Sequence, residues 1–464
     1  YFFLVRSANP TLEMLKAAFD ADALIFMRLF AQTLDCRQKA ADGSRPPGKG
    51  ERLLTVRMSQ WLMAKHPEHL LQFIEDGHVE LYGRWDMLLE ICACTPMNDL
   101  VADYFAKRLD QDMKILDSQS EDSKIISLAA KWSASEGHIT SKVRGTKDRQ
   151  TVGVGAKDKR NVDTLTSEKH RAGGRLEKLD RLASLIAYKL ADIQGNASLK
   201  HGAKMKAYRQ TLTRLRSHLA IVERFISTGD YSKIDYSKVP SCAMKRYSKL
   251  FAEYDMERFT AFLESVKKGE TKINAGQLMP HEVIETYLKK GIDSVDETLE
   301  AQWNVIKEPY GNGTIDTLDY AIALSDVSGS MSGQPMNVSI ALGLLIAATT
   351  KMPGFQNKFI SFDADPQLID VSTGSTLAAK IKIAKGSPWG ENTNFAKAMR
   401  MILAKARASK LSPDIMKKIT LFVFTDMQFD VADSSYKTTH QILADEYKKE
   451  GYELLPKMFY WNIK

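Results

Sequence analysis

The sequence predicts a helical N-terminal part followed by a doubly wound α/β domain. From about residue 10 to residue 115, apolar side chains recur at i, i+3 and i+4, which is the spacing of amphipathic helices. From Asp316 onward, short apolar runs alternate with helical patterns, as a doubly wound fold requires. The apolar run from Ala321 ends abruptly in polar residues, which is typical of a strand whose carboxyl end borders a ligand site.

The helical part is predicted to cover residues 1–310. Its short helices are joined by short, irregular connectors, and this pattern indicates stacked helical hairpins of the HEAT kind. Gly311–Gly313 marks the hinge between the helical part and the α/β domain. We assign the α/β domain to residues 311–464.

A segment of different composition, residues 131–180, interrupts the helical part. Ser, Thr, Gly and Lys dominate it, and it carries twelve Lys and Arg residues against seven Asp and Glu residues. Its glycines, which include Gly173 and Gly174, should break any helix, so helix is expected to return only at Leu176. We therefore predict a basic mobile insert, which is either a solvated loop or an arm that tracks phosphates.

The α/β domain is predicted to alternate between strands and helices along most of its length. Apolar runs of about five to seven residues define the strands, and longer periodic stretches define the helices. In chain order, the predicted elements are the strand Leu318–Leu324, the helix Asn337–Thr350, the strands Lys358–Phe362 and Gln367–Val371, the helices Thr376–Ile383 and Phe395–Ala408, the strand Ile419–Phe424, the helix Lys437–Tyr452 and the strand Lys457–Trp461.

The polar residues after the first strand suggest a metal site. Asp326, Ser328 and Ser330 form the pattern Asp-x-Ser-x-Ser, and their carboxylate and hydroxyls are hard oxygen ligands that suit a small divalent cation such as Mg²⁺. Thr393 lies in a polar loop before a predicted helix, and Asp426 follows a later predicted strand. Because Ser-Gly-Ser is also ordinary turn chemistry, the alternative is a solvated loop.

Together these five residues resemble the metal-ion-dependent adhesion site of von Willebrand factor A domains, which pairs an Asp-x-Ser-x-Ser loop with a Thr and an Asp on two further loops. The resemblance implies that Ser328, Ser330 and Thr393 donate hydroxyl oxygens to Mg²⁺ or another divalent cation. It implies that Asp326 and Asp426 bind the cation directly or through water. It also implies a further strand and a closing helix, so the domain is expected to be truncated at its C-terminus.

Three motifs extend the resemblance over nearly the whole chain. They are GKGER at Gly48–Arg52, YGRWDMLLE at Tyr82–Glu90 and IDYSKVPSCAM at Ile234–Met244. They are similar to a domain-of-unknown-function family in which a helical region precedes a von Willebrand A domain. The same architecture is similar to the Ro ribonucleoproteins and their Telomerase–Ro–Vault (TROVE) module, so the resemblance implies that the helical part binds RNA.

Positive charge is concentrated in two stretches that could contact RNA. The chain carries a formal net charge of +8, and Gln194–Val222 contains no acidic residue. Helical spacing lets several cations of this stretch share a face, and Tyr208 among them could stack on a base. The alternative is a solvated surface stripe. The residues predicted to bind RNA are Arg45, Lys49 and Arg52 in a loop and Lys200, Lys204, Lys206, Arg209, Arg214 and Arg216 in the acid-free stretch.

Several classes of protein are disfavoured. No Gly-x-Ser-x-Gly pattern or P-loop accompanies the candidate metal site, so we expect no catalytic residues and no enzyme activity. The longest largely apolar run, Val338–Ala348, is about half a membrane span, so no membrane association is expected. Four cysteines give no disulfide ladder, which favours a reducing compartment such as the cytoplasm.

Two functions from different classes follow. The first is a non-catalytic, RNA-binding component of a ribonucleoprotein, with a metal-ion-dependent adhesion site beside a basic helical scaffold. The second is a protein-binding adaptor or structural assembly component, whose metal site captures an acidic residue of a partner.

Overall fold

In the computed structural model, the 464-residue chain divides into two compact units, Tyr1–Ile234 and Asp235–Lys464. None of the described helices combines the length and the apolar character that crossing a bilayer would require. The structure describes residues 11–35, 48, 51–83, 85–94, 98–118, 126–135, 169–311, 316–362, 365–386, 394–426 and 439–463.

The first unit is helical throughout its described residues. Its first two helices begin at polar caps, because the side chains of Thr11 and Asp22 accept hydrogen bonds from the backbone N–H groups of Met14 and Ile25. The helices are α1 (Leu12–Ala21), α2 (Ala23–Leu34), α3 (Arg52–Lys65), α4 (Pro67–Glu75), α5 (His78–Tyr82), α6 (Trp85–Cys94), α7 (Asn98–Asp117), α8 (Ala129–Trp132), α9 (Lys169–Ile193), α10 (His201–His218) and α11 (Val222–Thr228), followed by a 3-10 turn at Tyr231–Lys233.

An apolar core joins these helices. The long helices α7 and α9 pack against each other, with Phe105 and Leu109 on the first and Leu182 and Ile186 on the second completely buried. Burial of such side chains contributes roughly 1.5–3 kcal/mol each. The core therefore depends on contacts between helices that are far apart in the sequence.

The helix α9 begins earlier than the sequence predicted. It starts at Lys169 and continues through Gly173 and Gly174, where a helix break was expected. A glycine inside a helix costs about 1 kcal/mol relative to alanine, which the extensive packing of the downstream part of α9 on α7 can offset. The rest of the predicted basic insert, residues 136–168, lies outside the described residues.

The second unit contains helices and a five-stranded sheet. It also contains two 3-10 turns, at Tyr236–Lys238 and Gly329–Met331. Its helices are α12 (Ser241–Tyr254), α13 (Met256–Lys267), α14 (Pro280–Lys290), α15 (Glu297–Gly311), α16 (Asp316–Asp319), α17 (Gln334–Thr349), α18 (Leu377–Gly386), α19 (Phe395–Ala408), α20 (Pro413–Lys418) and α21 (Thr439–Lys449). Its strands are β1 (Ala321–Asp326), β2 (Lys358–Phe362), β3 (Leu368–Asp370), β4 (Thr420–Thr425) and β5 (Lys457–Asn462).

The strand order of the sheet is β3-β2-β1-β4-β5. All neighbouring pairs are parallel except β2 and β3, which are antiparallel at one edge. The central strands β1 and β4 pair from Ala321 opposite Thr420 to Ser325 opposite Phe424. This register brings the carboxyl ends of β1 and β4 side by side, so the residues that follow the two strands meet at the same edge of the sheet.

Helices cover both faces of the sheet. Alternate residues of β1 belong to different cores: Ala321 and Ala323 pack with one cluster, and Ile322 and Leu324 pack with the other. The first cluster includes side chains of α17 and α18, and the second includes side chains of α19 and α21. A strand buried on both faces reads as a continuous apolar run, which explains why β1 was recognisable in the sequence. Every predicted strand and helix of this region is present, with ends that differ by three residues or fewer.

The helices α12–α15 belong to the second unit, whereas the sequence assigned residues 1–310 to one helical domain. Contacts divide the chain between residues 234 and 235 instead. The physical reason is that α14 packs on α17, and Tyr287 and Trp303 are buried in the same cluster as side chains of the sheet. The Glu300 carboxylate of α15 also accepts hydrogen bonds from the backbone N–H groups of Leu377 at 2.8 Å and Ala378 at 3.1 Å, at the start of α18.

Candidate metal centre

Asp326 is the last residue of β1, and its carboxylate accepts two hydrogen bonds at this edge of the sheet. Its side chain is completely buried. One carboxylate oxygen accepts a hydrogen bond from the backbone N–H of Ser328 at 2.9 Å, and the other accepts a hydrogen bond from the Thr425 hydroxyl at 2.8 Å. These two bonds hold the carboxylate in one orientation at the junction between β1 and the loop that follows.

The hydroxyls of Ser328 and Ser330 lie together in that loop. Their oxygens are 3.0 Å apart, and Ser328 is almost entirely buried. A 3-10 turn at Gly329–Met331 brings the two side chains to the same side of the loop. Gly333 then adopts a positive φ of 92°, which favours glycine, and the helix α17 begins directly after it. The sequence Asp-x-Ser-x-Ser therefore folds into a compact group of oxygen atoms.

Asp426 directly follows β4, the strand that pairs with β1. It is 9% exposed. The pKa of Asp326 is raised, chiefly because burial disfavours the charged carboxylate, and the negative charge of Asp426 raises it further; hydrogen bonds from Ser328 and Thr425 act in the opposite direction. Two carboxylates that repel each other at a buried edge form a site that a cation would stabilise.

Thr393, the fifth predicted ligand, lies outside the described residues. The predicted helix after it is present as α19, which begins at Phe395. Asn394 caps this helix, with its side-chain oxygen accepting the backbone N–H of Lys397 at 3.0 Å. Four of the five predicted ligands can therefore be located, and the structure brings Asp326, Ser328, Ser330 and Asp426 to the same edge of the sheet.

The sequence did not single out Thr425, which belongs to this group through its bond to Asp326. A hydroxyl beside Asp426 at the end of a predicted strand was the available signal, but its partner depends on the register between β1 and β4. The donor set as a whole consists of carboxylate and hydroxyl oxygens. This chemistry fits Mg²⁺, which binds through oxygen and keeps several waters.

The predicted RNA-binding residues of the acid-free stretch lie in or next to α10. Some of them are enclosed by the protein, and others are exposed to solvent. Lys204 is 5% exposed, with its ammonium 4.4 Å from the centre of the Tyr188 ring and 3.8 Å from a carboxylate oxygen of Asp192. Tyr208 is buried, and its hydroxyl donates to the carbonyl of Ala134 at 2.6 Å. Tyr208 therefore cannot stack on a base, which corrects the prediction, and Lys204 is enclosed by protein.

Arg216 is bound by the protein itself. Its guanidinium donates to the backbone carbonyls of Ala130 at 2.8 Å and Ser133 at 3.1 Å, in and after the helix α8. Burial lowers its pKa, and burial raises the pKa of Tyr208 to about 12. Both side chains therefore attach α8 and the residues after it to α10.

The other cations of the stretch are exposed. Lys200, Lys206 and Arg209 face solvent, and Arg214 forms an ion pair with Asp117 of α7. A shallow recess of about 380 Å³ is lined by Lys206, Arg209, Gln210, Thr213 and Arg214. In the basic loop, Arg45 and Lys49 lie outside the described residues, and Arg52 is the first residue of α3 but its side chain also lies outside them.

Two protein-family models match this chain. A domain of unknown function, DUF2828, matches residues 181–310, which run from α9 to α15. A second domain of unknown function, DUF7788, matches residues 320–464, which contain the entire sheet and its candidate metal site. The candidate metal site therefore lies within the region that the second family model matches.

A curated relative matches over most of the chain. It is an uncharacterized protein of Acanthamoeba polyphaga mimivirus, which is 30% identical over 475 residues. The match covers 96% of this chain and 72% of the relative. The similarity therefore includes both compact units.

Proposed function

The chain belongs to the same protein family as the mimivirus relative, and we propose that it is a non-catalytic binding protein whose metal site captures an acidic group of a partner. The observation that carries this proposal is the edge of the sheet at β1 and β4. There the buried Asp326 carboxylate, the paired hydroxyls of Ser328 and Ser330, and Asp426 come together. Catalysis is not part of the proposal, because these groups include no evident nucleophile with an adjacent base.

The second unit is proposed to be a von Willebrand A-like domain with a metal-ion-dependent adhesion site. The parallel arrangement of β1 and β4 and the helix α17 after the Asp-x-Ser-x-Ser loop support this proposal. The all-oxygen donor set fits Mg²⁺, and two carboxylates would neutralise its charge. Ser328, Ser330 and Thr393 would hold the ion through hydroxyl oxygens, with Asp326 and Asp426 bound directly or through water.

When bound, Mg²⁺ would offer a coordination position to an anionic oxygen such as a Glu or Asp side chain of a partner. The chain's own residues prepare this position. The hydrogen bonds from Ser328 and Thr425 orient the Asp326 carboxylate before any ion arrives. The turn at Gly329–Met331 lies between the two serines, whose hydroxyl oxygens are 3.0 Å apart, and Ser330 is exposed. Binding therefore needs little rearrangement of the loop, which favours affinity.

The substitution Asp326→Asn tests the metal site. In the unchanged protein, Mg²⁺ at about 100 times its dissociation constant should raise the free energy of unfolding of the second unit by about 2.7 kcal/mol. This response should disappear in the variant, because a carboxylate charge is lost. Without metal, the variant should be at least as stable as the parent, because it no longer buries a charge and no longer repels Asp426. Thermal denaturation with and without Mg²⁺ measures both effects.

Asp414→Asn is the matched control, because Asp414 is an exposed aspartate of the same unit. It should keep the full response to Mg²⁺. A pull-down in Mg²⁺ or EDTA then links the metal to partner binding, and proteins retained only with Mg²⁺ should be lost with Asp326→Asn. An unchanged Mg²⁺ response in Asp326→Asn would refute the assignment of this site.

RNA binding is the second candidate, and the exposed cations of α10 favour it. Lys206, Arg209 and Thr213 follow one another at helical spacing and line the same recess, where cations could track a phosphate backbone. Within this candidate, the first unit would be a TROVE-like, HEAT-like helical scaffold of a ribonucleoprotein. Its succession of helices around one apolar core supports that comparison.

Charge reversal on α10 tests this candidate. The double variant Lys206→Glu/Arg209→Glu should weaken binding to a mixed single-stranded RNA pool because two phosphate contacts are lost. The slope of log K against log salt should become shallower by about 1.4, from roughly 0.7 for each contact. Filter binding at several salt concentrations measures both quantities.

The control for this experiment is Lys267→Glu/Lys268→Glu, which makes the same charge change at two exposed lysines at the end of α13. Equal losses in the two double variants would mean that only net charge matters, and α10 would then not be an RNA-binding surface. A parent protein whose affinity is independent of salt would also exclude this electrostatic form of RNA binding.

A further inference from the structure

A second group of metal-binding side chains lies in the first unit, at the junction of α3 and α4. His66 connects the two helices, Pro67 begins α4, and Glu68 and His69 follow within its first turn. Nitrogen atoms of both imidazoles and a carboxylate oxygen of Glu68 all lie within 4.8 Å of one another. From this geometry we propose that His66, Glu68 and His69 form a binding site for a borderline divalent transition-metal ion, with Zn²⁺ as the representative ion.

The distances between these atoms fit a tetrahedral ion. With metal–ligand bonds of about 2.0–2.1 Å, two ligands of a tetrahedral Zn²⁺ lie about 3.4 Å apart. The Nδ1 atom of His69 is 3.0 Å from Glu68 Oε1, and the Nδ1 atom of His66 is 3.9 Å from the same oxygen. These two distances lie on either side of the required separation, and the nitrogen atoms of the two imidazoles lie within 4.8 Å of each other, so side-chain rotation can bring the three ligands to one ion.

Aromatic packing holds both imidazoles in place. The ring of Phe19 stacks on His66 with centroids 3.8 Å apart and meets His69 edge to face at 5.1 Å. Trp61 lies against His66 from another side, at 5.3 Å. Because α1, which carries Phe19, orients both rings, metal binding would lose little side-chain entropy.

The backbone also keeps the ligands together. Proline at the first position of α4 has a φ angle that suits a helix start, and the backbone N–H of His66 donates to the carbonyl of Leu62 at the end of α3. The three ligands, with only Pro67 between them, are therefore held at the junction of two helices instead of on an unsupported loop. This arrangement limits the conformations that the ligands can adopt before the ion binds.

The chemistry of this site differs from that of the sheet edge. Two imidazoles and one carboxylate favour Zn²⁺ over Mg²⁺, because imidazole nitrogen suits borderline ions and Mg²⁺ requires oxygen ligands. Three protein ligands leave a fourth position for water or another group. The side chains of His66 and His69 are 28% and 38% exposed, so an ion could enter from solvent.

Equilibrium dialysis of the chelator-treated full chain against Zn²⁺ alone tests the proposal, with bound metal quantified by mass spectrometry. Glu68→Gln and His69→Ala should each weaken binding at this site roughly tenfold or more. Glu68 is 64% exposed, so its replacement by the isosteric amide should leave the fold intact. Circular dichroism of each variant checks that the helices are retained.

Two controls distinguish this site from other sites that bind Zn²⁺. His440→Ala removes an exposed histidine of the second unit, and Asp326→Asn removes the charge at the sheet edge. Zn²⁺ binding that survives both controls but is weakened in Glu68→Gln and His69→Ala supports the proposal. Absence of Zn²⁺ binding by the parent chain, or unchanged binding in Glu68→Gln and His69→Ala, overturns it. Neither result depends on the Mg²⁺ response, so this proposal and the proposed function can fail separately.

Discussion

At the scale of single residues, Asp326 is the unusual feature of the second unit. A completely buried carboxylate is costly to ionise unless charges or hydrogen bonds compensate. Two hydrogen bonds provide part of that compensation, but the neighbouring Asp426 acts against it and raises the pKa of Asp326. A cation bound between the carboxylates would remove this conflict.

Gly343 shows how tightly α17 approaches the strand that carries Asp326. A Cβ atom at this position would lie 2.5 Å from the Ser325 hydroxyl oxygen and 3.3 Å from a ring carbon of Phe359. We predict that Gly343→Ala lowers the free energy of unfolding of the second unit by about 1–3 kcal/mol, because either the helix moves away from the sheet or the Ser325 hydroxyl turns away from the Ser339 carbonyl, to which it donates a hydrogen bond. Urea denaturation followed by circular dichroism measures the change.

Gly202→Ala is the matched control for this prediction. Gly202 also lies in a helix, but nothing is within 4 Å of an added Cβ atom. Its replacement should leave stability unchanged or increase it by up to about 1 kcal/mol, because alanine favours helix. Equal destabilisation by the two substitutions would show that crowding against Ser325 is not the cause.

At the scale of secondary-structure elements, α10 has a buried face and an exposed face whose residues are in different environments. Its buried face carries Tyr208, whose hydroxyl bonds to the segment after α8. Its exposed face carries Lys206 and Arg209. The cations of the acid-free stretch therefore fall into two groups. Some cations support the fold through carbonyl or ring contacts, and others remain in solvent where they can meet an anion.

A side chain of one helix also caps the N-terminus of another helix in the second unit. Glu300 lies on α15, yet its carboxylate accepts hydrogen bonds from the first two backbone N–H groups of α18 and from the hydroxyl of Tyr287. A carboxylate at a helix N-terminus satisfies donors that the helix itself leaves unpaired. This single side chain thus links α14, α15 and α18. It explains at the level of atoms why the preceding helices belong to the same unit as the sheet.

At the scale of the whole molecule, the division between residues 234 and 235 has a measurable consequence. We predict that a fragment of residues 235–464 unfolds in one cooperative transition that Mg²⁺ shifts to higher temperature. A fragment of residues 311–464 lacks α14 and α15, so it would expose the apolar surface that Tyr287 and Trp303 cover. It should bind more of a hydrophobic dye and unfold with lower cooperativity.

Calorimetry and dye binding on the two fragments and the full chain test this prediction. The full chain serves as the reference for the Mg²⁺ shift of the second unit. Equal cooperativity and equal dye binding in the two fragments would contradict it. In that case residues 311–464 would fold as an independent domain, with the boundary that the sequence predicted.

The sequence by itself determined the alternation of strands and helices in the second unit and the order of its candidate ligands. Apolar runs report burial directly, so β1 and β4 were recognisable, and Asp326 and Asp426 follow from where those runs end. Only the tertiary structure decided which residues meet. The bond from Thr425 to Asp326, the burial of Lys204 and Tyr208, and the membership of α12–α15 in the second unit depend on contacts between elements. Periodicity describes one element at a time, whereas these contacts arise from packing between elements, and hence they could not be predicted from local patterns.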